Sequence, residues 1–193
     1  MKEKISFIGL GKLGLPLSTL FSKNGVPVLG VDTNEKLIEK LQDNIFTPFH
    51  EKGLGRSLDL AYNNSEYTTS YDRVMDETDV SVILVNTQIG DSYSSEVVEN
   101  VITNLCEQLV ISRKKYHLFI LSSTVMPGEI RGKFIPMIEK LTNRELNRGF
   151  GFSYVPDIVK LGSVIDDFEN PDVVIIGGSD SRSISTTHNL YKT

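Results

Sequence analysis

The stretch Ile5–Gly14, Ile-Ser-Phe-Ile-Gly-Leu-Gly-Lys-Leu-Gly, decides the fold of this chain. Its first four residues are mostly apolar, as expected for a parallel strand that is buried on both faces. Gly9, Gly11 and Gly14 follow at once with the spacing G-x-G-x-x-G. Apolar residues between Leu13 and Phe21 then recur at helical spacing. The stretch therefore predicts a strand, a glycine turn and a helix in direct succession.

The segment that follows completes a dinucleotide-binding fingerprint. A second strand is predicted over Val26–Val31, and it ends at Asp32, 18 residues after Gly14. In this fingerprint Gly9 permits the tight turn, Gly11 lets a pyrophosphate approach the backbone, and the last glycine lets the helix pack closely. The acid accepts hydrogen bonds from the ribose hydroxyls and repels a 2′-phosphate, which favours NAD over NADP. The alternative is a glycine turn that binds no ligand.

The rest of the chain alternates short β-branched runs with longer amphipathic stretches. This alternation is typical of βαβ units around a parallel sheet. The predicted strands are Ile5–Ile8, Val26–Val31, a weak one at Tyr67–Ser70, Asp79–Thr87, His117–Ser122, Gly151–Val155 and Asp172–Ile176. The predicted helices after the first are Thr33–Asp43, Val97–Leu109, Pro127–Lys140 and Asp180–Leu190, with a loop over Asn44–Gly55. We predict an α/β fold in one domain over residues 1–193: a doubly wound, Rossmann-type, mostly parallel sheet of six to seven strands with helices on both faces.

Composition excludes several classes of function. The 193 residues include 20 basic and 25 acidic side chains, for a net charge of -5. Affinity for nucleic acid comes from clustered Lys and Arg, so we expect no nucleic-acid partner. No apolar run reaches the length of a membrane span, and the N-terminal apolar run is too short for a signal peptide. We therefore expect a cytoplasmic protein without a membrane partner.

The cysteine and histidines argue against a metal site and against a disulfide scaffold. Cys106 is the only cysteine, and it falls among the apolar residues of a predicted helix, so we interpret it as a small core residue. His50, His117 and His188 are widely scattered and lack the spacing of metal ligands. We predict no metal.

Polar side chains end two further predicted strands. Asn86 and Thr87 end one of these strands, and Ser122, Ser123 and Thr124 end another. In open α/β sheets ligands bind outside the carboxyl ends of the strands, so these residues are candidate cofactor contacts. Helix capping and loop hydrogen bonding are the alternative roles for Asn86 and Ser122.

Several motifs together resemble one family. They occur in order along the chain: Gly9–Leu15, Val31-Asp32, Thr47–Leu54, Val85-Asn86-Thr87, Ser123–Gly128 and Pro156–Gly178. In this combination the chain resembles the N-terminal half of the UDP-glucose/GDP-mannose dehydrogenase family, which includes the UDP-N-acetylmannosamine dehydrogenases. The resemblance implies oxidation of the C6 alcohol of a UDP- or GDP-sugar to a carboxylate, with two NAD molecules and a cysteine-bound thioester.

The resemblance also implies roles for particular residues. Thr124 would help to position a catalytic water, and Asp157 stands in the place of a glutamate that assists thioester hydrolysis. Glu51 with Gly53 is expected to shape a loop over the cofactor. Together, the fingerprint, the polar strand ends and the resemblance predict these cofactor-binding residues: Gly9, Gly11, Lys12, Leu13, Gly14, Asp32, Val85, Thr87, Ser123 and Thr124.

Departures from the family pattern concern the chemistry rather than the pyrophosphate motif. Asp157 is one methylene shorter than the family's glutamate, Leu161 replaces a second glutamate, and Gln88 replaces a proline. The family's nucleophilic cysteine and substrate domain would begin after Thr193. We therefore expect residues 1–193 to bind NAD but not to turn over a substrate.

Two alternatives remain open. One is a stand-alone, non-catalytic NAD-binding or regulatory module. The other, which fits the segment Pro156–Gly178 less well, is a dehydrogenase of the hydroxyacid or 6-phosphogluconate type. The sequence decides neither the nucleotide sugar nor the oligomeric state, and a homodimer stays open.

Overall fold

A computed structural model describes residues 4–45 and 51–192 of the chain. The predictions made for Thr47, Pro48, Phe49 and His50 lie outside the described residues. Within those residues the strands are β1 (Ile5–Ile8), β2 (Val28–Val31), β3 (Ser65–Thr68), β4 (Val80–Ile83), β5 (Gln88–Ile89), β6 (Ser92–Tyr93), β7 (Leu118–Leu121), β8 (Gly151–Tyr154) and β9 (Gly177–Gly178).

Seven of these strands form one sheet in the order β3-β2-β1-β4-β7-β8-β9. Every neighbouring pair is parallel except β8 and β9, which are antiparallel. The strands β5 and β6 form a separate antiparallel hairpin. The doubly wound, mostly parallel sheet predicted from the sequence is thus confirmed.

Helices cover both faces of the sheet. They are α1 (Gly14–Lys23), α2 (Glu35–Gln42), α3 (Leu54–Ala61), α4 (Val74–Glu77), α5 (Glu96–Ile111), α6 (Ile135–Thr142), α7 (Val164–Glu169) and α8 (Ser181–Tyr191). Alternate residues of β1 point to opposite faces. Ile5 and Phe7 join a core cluster with α1 and α2, whereas Ile8 joins a cluster with α5 and α6.

The register of the parallel strands aligns their carboxyl ends. Val31, Ile8, Ile83, Leu121 and Tyr154 are consecutive Cα partners across β2, β1, β4, β7 and β8. The residues that follow these strands therefore emerge along one edge of the sheet, where the polar strand ends meet.

One predicted strand is wrong. Asp172–Ile176 forms no strand, and the strand that pairs with β8 is Gly177–Gly178 instead. The side chains of Val173, Val174 and Ile175 are exposed. An apolar β-branched run signals burial or pairing only statistically, and here it crosses the surface before the chain reaches the edge of the sheet.

The structure also adds helices that the sequence did not indicate, α3, α4 and α7, each of eight residues or fewer. Leu54 and Gly55, predicted as loop, begin α3. The predicted helix Pro127–Lys140 begins later, as a π turn over Ile130–Phe134 that continues into α6. Short helices carry too few periods of an apolar pattern to be recognised in a sequence.

Candidate functional site

The glycine turn between β1 and α1 has the geometry expected of a pyrophosphate site. Gly9 has φ +96°, and its N-H donates to the Val31 carbonyl at 2.8 Å. A Cβ on Gly9 would lie 2.3 Å from the Leu84 carbonyl oxygen, and one on Gly14 would lie 2.0 Å from the Gly9 oxygen. A Cβ on Gly11 would meet no atom within 4 Å. Gly9 and Gly14 are therefore required by packing, whereas Gly11 leaves open space for a ligand.

Asp32 lies against the same turn. Its Oδ2 accepts the Leu10 N-H at 2.7 Å, and its Oδ1 accepts the Asn34 N-H at 2.9 Å. Each carboxylate oxygen has a second lone pair for a further hydrogen bond. Asp32 thus fixes the glycine turn relative to β2 and can still receive the hydroxyls of a ribose.

A cleft of about 840 Å³ runs along this edge of the sheet. It is open rather than filled by the protein's own side chains, and it is large enough for a dinucleotide. Its lining contains most of the residues predicted for the site: Gly11, Lys12, Leu13, Gly14, Val85, Thr87, Ser123, Thr124 and Asp157. The structure therefore brings the glycine turn and the polar strand ends together.

Val85 and Ser123 bind each other on the floor of the cleft. The Ser123 hydroxyl accepts the Val85 N-H and donates to the Val85 carbonyl, both at 2.8 Å. This pair ties the residues after β4 to those after β7. Thr87 is half-buried and Thr124 is exposed, and both face the cleft.

Asp157 lies in the wall of the cleft and has an unusual environment. Both of its carboxylate oxygens are buried and have no hydrogen-bond partner among the described residues. Burial raises the pKa of Asp157 to about 7. A carboxyl group with a pKa near neutral pH can take up or release a proton under working conditions, as a general base must. Leu161 also lines the cleft and is exposed.

Three other residues that the sequence analysis considered, Cys106, His117 and Glu51, have structural contacts. Cys106 is buried in the core, as predicted, and burial raises the pKa of its thiol to about 12, so it is not a nucleophile. The His117 Nε2 lies 2.8 Å from the Ser81 hydroxyl in the core. Glu51 accepts the N-H groups of Gly162 and Ile165, each at 3.1 Å, and so holds the segment that leads into α7.

Sequence reasoning missed one wall of the cleft. The hairpin of β5 and β6 lines it through Gln88, Asp91, Ser92 and Tyr93. The signal was present, because Gly90-Asp91 between two short runs is a two-residue hairpin turn. The hydrogen bond between Tyr93 and Glu129 was beyond the reach of local patterns, since the two residues lie 36 positions apart.

The part of the chain that the structure describes contains neither a helix that could span a membrane nor a cluster of metal ligands. Within residues 4–45 and 51–192, every helix is too short or too polar to cross a bilayer. In the same part of the chain, no three His, Cys, Asp or Glu side chains come together in a way that could hold a metal ion.

Comparison with known proteins agrees with this geometry. A profile of the UDP-glucose/GDP-mannose dehydrogenase family, NAD binding domain, matches residues 3–193. A UDP-glucose 6-dehydrogenase of Haloferax volcanii is 28% identical over 191 residues, which are 97% of this chain and 44% of that protein. The matched region binds NAD in this family, and NAD is the cofactor of this domain.

Solved structures show the same likeness. The GDP-mannose dehydrogenase of Pseudomonas aeruginosa, solved as a ternary complex, superposes with a TM-score of 0.91 at 25% identity over 97% of this chain. A UDP-glucose dehydrogenase of Pyrobaculum islandicum gives a TM-score of 0.89 at 26% identity over the whole chain. This chain covers 44% of each of these structures, so it spans less than half the length of the relatives that it matches.

Proposed function

Because the chain belongs to the UDP-glucose/GDP-mannose dehydrogenase family, we propose that it is the cofactor-binding half of a nucleotide-sugar 6-dehydrogenase. The whole enzyme would oxidise the C6 alcohol of a UDP- or GDP-sugar to the carboxylate with two NAD molecules. The observation that carries the proposal is the open space beside Gly11, which lines the cleft in the turn whose Leu10 N-H donates to Asp32.

The order of the strands supports one orientation of the cofactor in the cleft. Asp32 follows β2 and the glycine turn follows β1, so the adenosine ribose and the pyrophosphate lie on that side. The nicotinamide half then extends over the ends of β4 and β7, toward Thr87 and Thr124. The carboxylate of Asp32 would repel the 2′-phosphate of NADP, which favours NAD.

The chemistry divides between the cofactor and the chain. When bound, NAD supplies the hydride acceptor. In the whole enzyme Thr124 would orient a water molecule and Asp157 would accept a proton from it, for which water must reach the buried Asp157 carboxylate. Cys106 is the only cysteine and is buried, so the thioester step of the family needs a cysteine from elsewhere. We therefore expect residues 1–193 alone to bind NAD without turnover.

A glycine substitution tests the binding site. In Gly11→Ala the new methyl group meets no protein atom, so the fold should keep its melting temperature, but the group occupies the space of the pyrophosphate. We expect NAD affinity, measured by calorimetry, to fall at least about tenfold, which corresponds to roughly 1.4 kcal/mol.

Gly132→Ala is the matched control, because its Cβ also meets nothing within 4 Å and it lies outside the cleft. It should bind NAD like the wild type. Equal affinities in Gly11→Ala and Gly132→Ala would remove the glycine turn from the binding site.

A stand-alone NAD-binding module is the second candidate function. It is favoured by the shorter carboxylate of Asp157 and by Leu161 in the wall of the cleft. The coding sequence after Thr193 separates the two: a glycine-flanked cysteine followed by Lys-Asp supports the dehydrogenase, and a stop codon supports the module. In either case we propose a cytoplasmic location. The homodimer also stays a prediction, and analytical ultracentrifugation of the protein would test it.

A further inference from the structure

The hairpin of β5 and β6 follows β4 in the chain and lines the cleft. At its base, the Asn86 side chain accepts the Gln88 N-H at 3.2 Å and donates to the Gln88 carbonyl at 2.7 Å. The Ser94 N-H donates to the Thr87 carbonyl at 2.9 Å. These bonds fix where the hairpin starts and ends, whereas its position over the cleft depends on contacts made farther along.

Glu129 supplies such a contact. Its Oε2 accepts the Tyr93 hydroxyl of the hairpin and also the Met126 N-H at 3.0 Å. Met126 lies two residues after Thr124, in the segment that follows β7. One carboxylate therefore joins the wall formed by the hairpin to the wall formed by the segment after β7.

The surroundings of Glu129 keep it charged. Its side chain is 19% exposed, and Lys133 Nζ lies 3.9 Å from its Oε1. Burial opposes ionisation, but the hydrogen bonds from Tyr93 and Met126 and the charge of Lys133 together lower the pKa of Glu129. A hydrogen bond to a charged acceptor is stronger than one between neutral groups, which suits a contact that holds two segments together.

Both walls belong to the same end of the cleft. They follow β4 and β7, on the side of the glycine turn away from Asp32. In the orientation given above, that end receives the nicotinamide half of the cofactor. We propose that Tyr93 and Glu129 are positioning residues that hold these walls in place for the nicotinamide half of NAD. The inference rests on the proposed function.

The test compares two ligands that differ at this end. ADP-ribose carries the adenosine, the pyrophosphate and both riboses of NAD but lacks nicotinamide. In Tyr93→Phe and in Glu129→Gln, we expect the Kd of NAD to rise about five- to tenfold, as for loss of a charged hydrogen bond. The Kd of ADP-ribose should stay within about twofold of the wild type, because it has no nicotinamide ring for these walls to hold and its adenosine and pyrophosphate lie on the Asp32 side.

The double variant and a control sharpen the result. Tyr93→Phe combined with Glu129→Gln should be no worse than the weaker-binding single variant, because the first removes and the second weakens the same contact. Tyr62→Phe, an exposed tyrosine outside the cleft, should leave both affinities unchanged. If Tyr93→Phe does not fold, Glu129→Gln carries the test, since its amide oxygen can still accept the Met126 N-H.

The outcomes separate the two proposals. A parallel loss of affinity for NAD and ADP-ribose, or no loss for either, overturns the positioning role while the proposed NAD function stands. A wild-type protein that binds neither ligand overturns the proposed function and the positioning role with it. A loss confined to NAD supports both.

Discussion

At the residue scale, Asp157 combines two properties that rarely occur together in a carboxyl group. It faces a ligand cleft, and both of its oxygens are buried without a partner among the described residues. Leaving an ionised carboxylate in this state is unfavourable, which is why its pKa is raised to about 7. Strongly shifted groups in clefts concentrate at functional sites, and Asp157 fits that pattern.

A pH dependence of cofactor binding follows from this environment. The ring of NAD⁺ is positively charged and that of NADH is neutral, so ionised Asp157 attracts only the oxidised form. We expect the affinity for NAD⁺ to increase several-fold between about pH 6 and pH 8, as Asp157 ionises around its pKa of about 7. Calorimetric titrations at several pH values measure this change.

NADH and Asp157→Asn provide the comparison for that titration. We expect the affinity of the wild type for NADH to stay constant over the same pH range, because NADH lacks the positive charge. The affinity of Asp157→Asn for NAD⁺ should also stay constant, because this variant lacks the carboxylate. A rise with pH that persists in Asp157→Asn would place the responsible group elsewhere.

Local spacing in the sequence predicted the tight turn at Gly9 and the close helix packing at Gly14, which the structure shows, while the ligand contacts stay predictions. Gly9, Gly14 and Asp32 were recognised because their spacing is fixed by one turn and one neighbouring strand. The Ser123 hydroxyl lines the cleft, where the sequence predicts a cofactor contact, and it also bonds twice to Val85, a partner that the sequence did not indicate. The partner of a side chain that reaches another strand depends on the tertiary fold, which no short motif encodes.

At the element scale, α7 shows how a short helix is held by a distant side chain. It has six residues, too few for a helix to be stable by itself. Glu51 accepts the Gly162 and Ile165 N-H groups from 111 and 114 positions away and is only 7% exposed. The sequence suggested that Glu51 shapes a loop, and the segment it holds includes Leu161 in the wall of the cleft.

Removing that carboxylate should loosen the segment. In Glu51→Ala two backbone donors lose their acceptor, and we expect the free energy of unfolding to fall by about 1–3 kcal/mol. Glu51→Gln keeps one amide oxygen and should lose less. Urea unfolding measures the stability, and hydrogen exchange at Gly162 and Ile165 shows whether the loss is local. Unchanged exchange at both amides in Glu51→Ala would contradict this role.

At the scale of the whole molecule, the sequence was most informative about topology. Alternating strands and helices suffice to predict a doubly wound sheet, because right-handed crossovers leave few other arrangements. The run Asp172–Ile176 misled because an apolar β-branched segment near the edge of a sheet can lie outside the ladder. The same fold buries the ring of His117 and the carboxylate oxygens of Asp157, and both groups affect how stability responds to pH near neutrality.

The two groups act in opposite directions. Burial, and then the charge of Lys114, lowers the pKa of His117 to about 3, so the folded state keeps it neutral while the unfolded chain protonates it below about pH 6.5. Stability contributed by neutral His117 is therefore lost as pH falls below 6.5. Asp157, with a folded pKa of about 7, stays protonated in the fold while the unfolded chain releases its proton above about pH 3.8. Its contribution is lost as pH rises toward 7.

Between about pH 5 and 6.5 these contributions nearly cancel, since each changes stability by about 1.4 kcal/mol per pH unit with opposite sign. The pKa values of the carboxyl groups of Glu66, Glu77, Glu99 and Glu129 are lowered below their ordinary value of 4.5, so these groups do not titrate in this range. We expect a nearly flat profile for the wild type, a rise with pH for Asp157→Asn and a fall for His117→Gln. Urea unfolding at half-unit steps of pH measures all three profiles. If the free energy of unfolding changes with pH in the same way in the wild type and in both variants, neither His117 nor Asp157 controls the pH response. Their burial would then have no effect on stability between about pH 5 and 6.5.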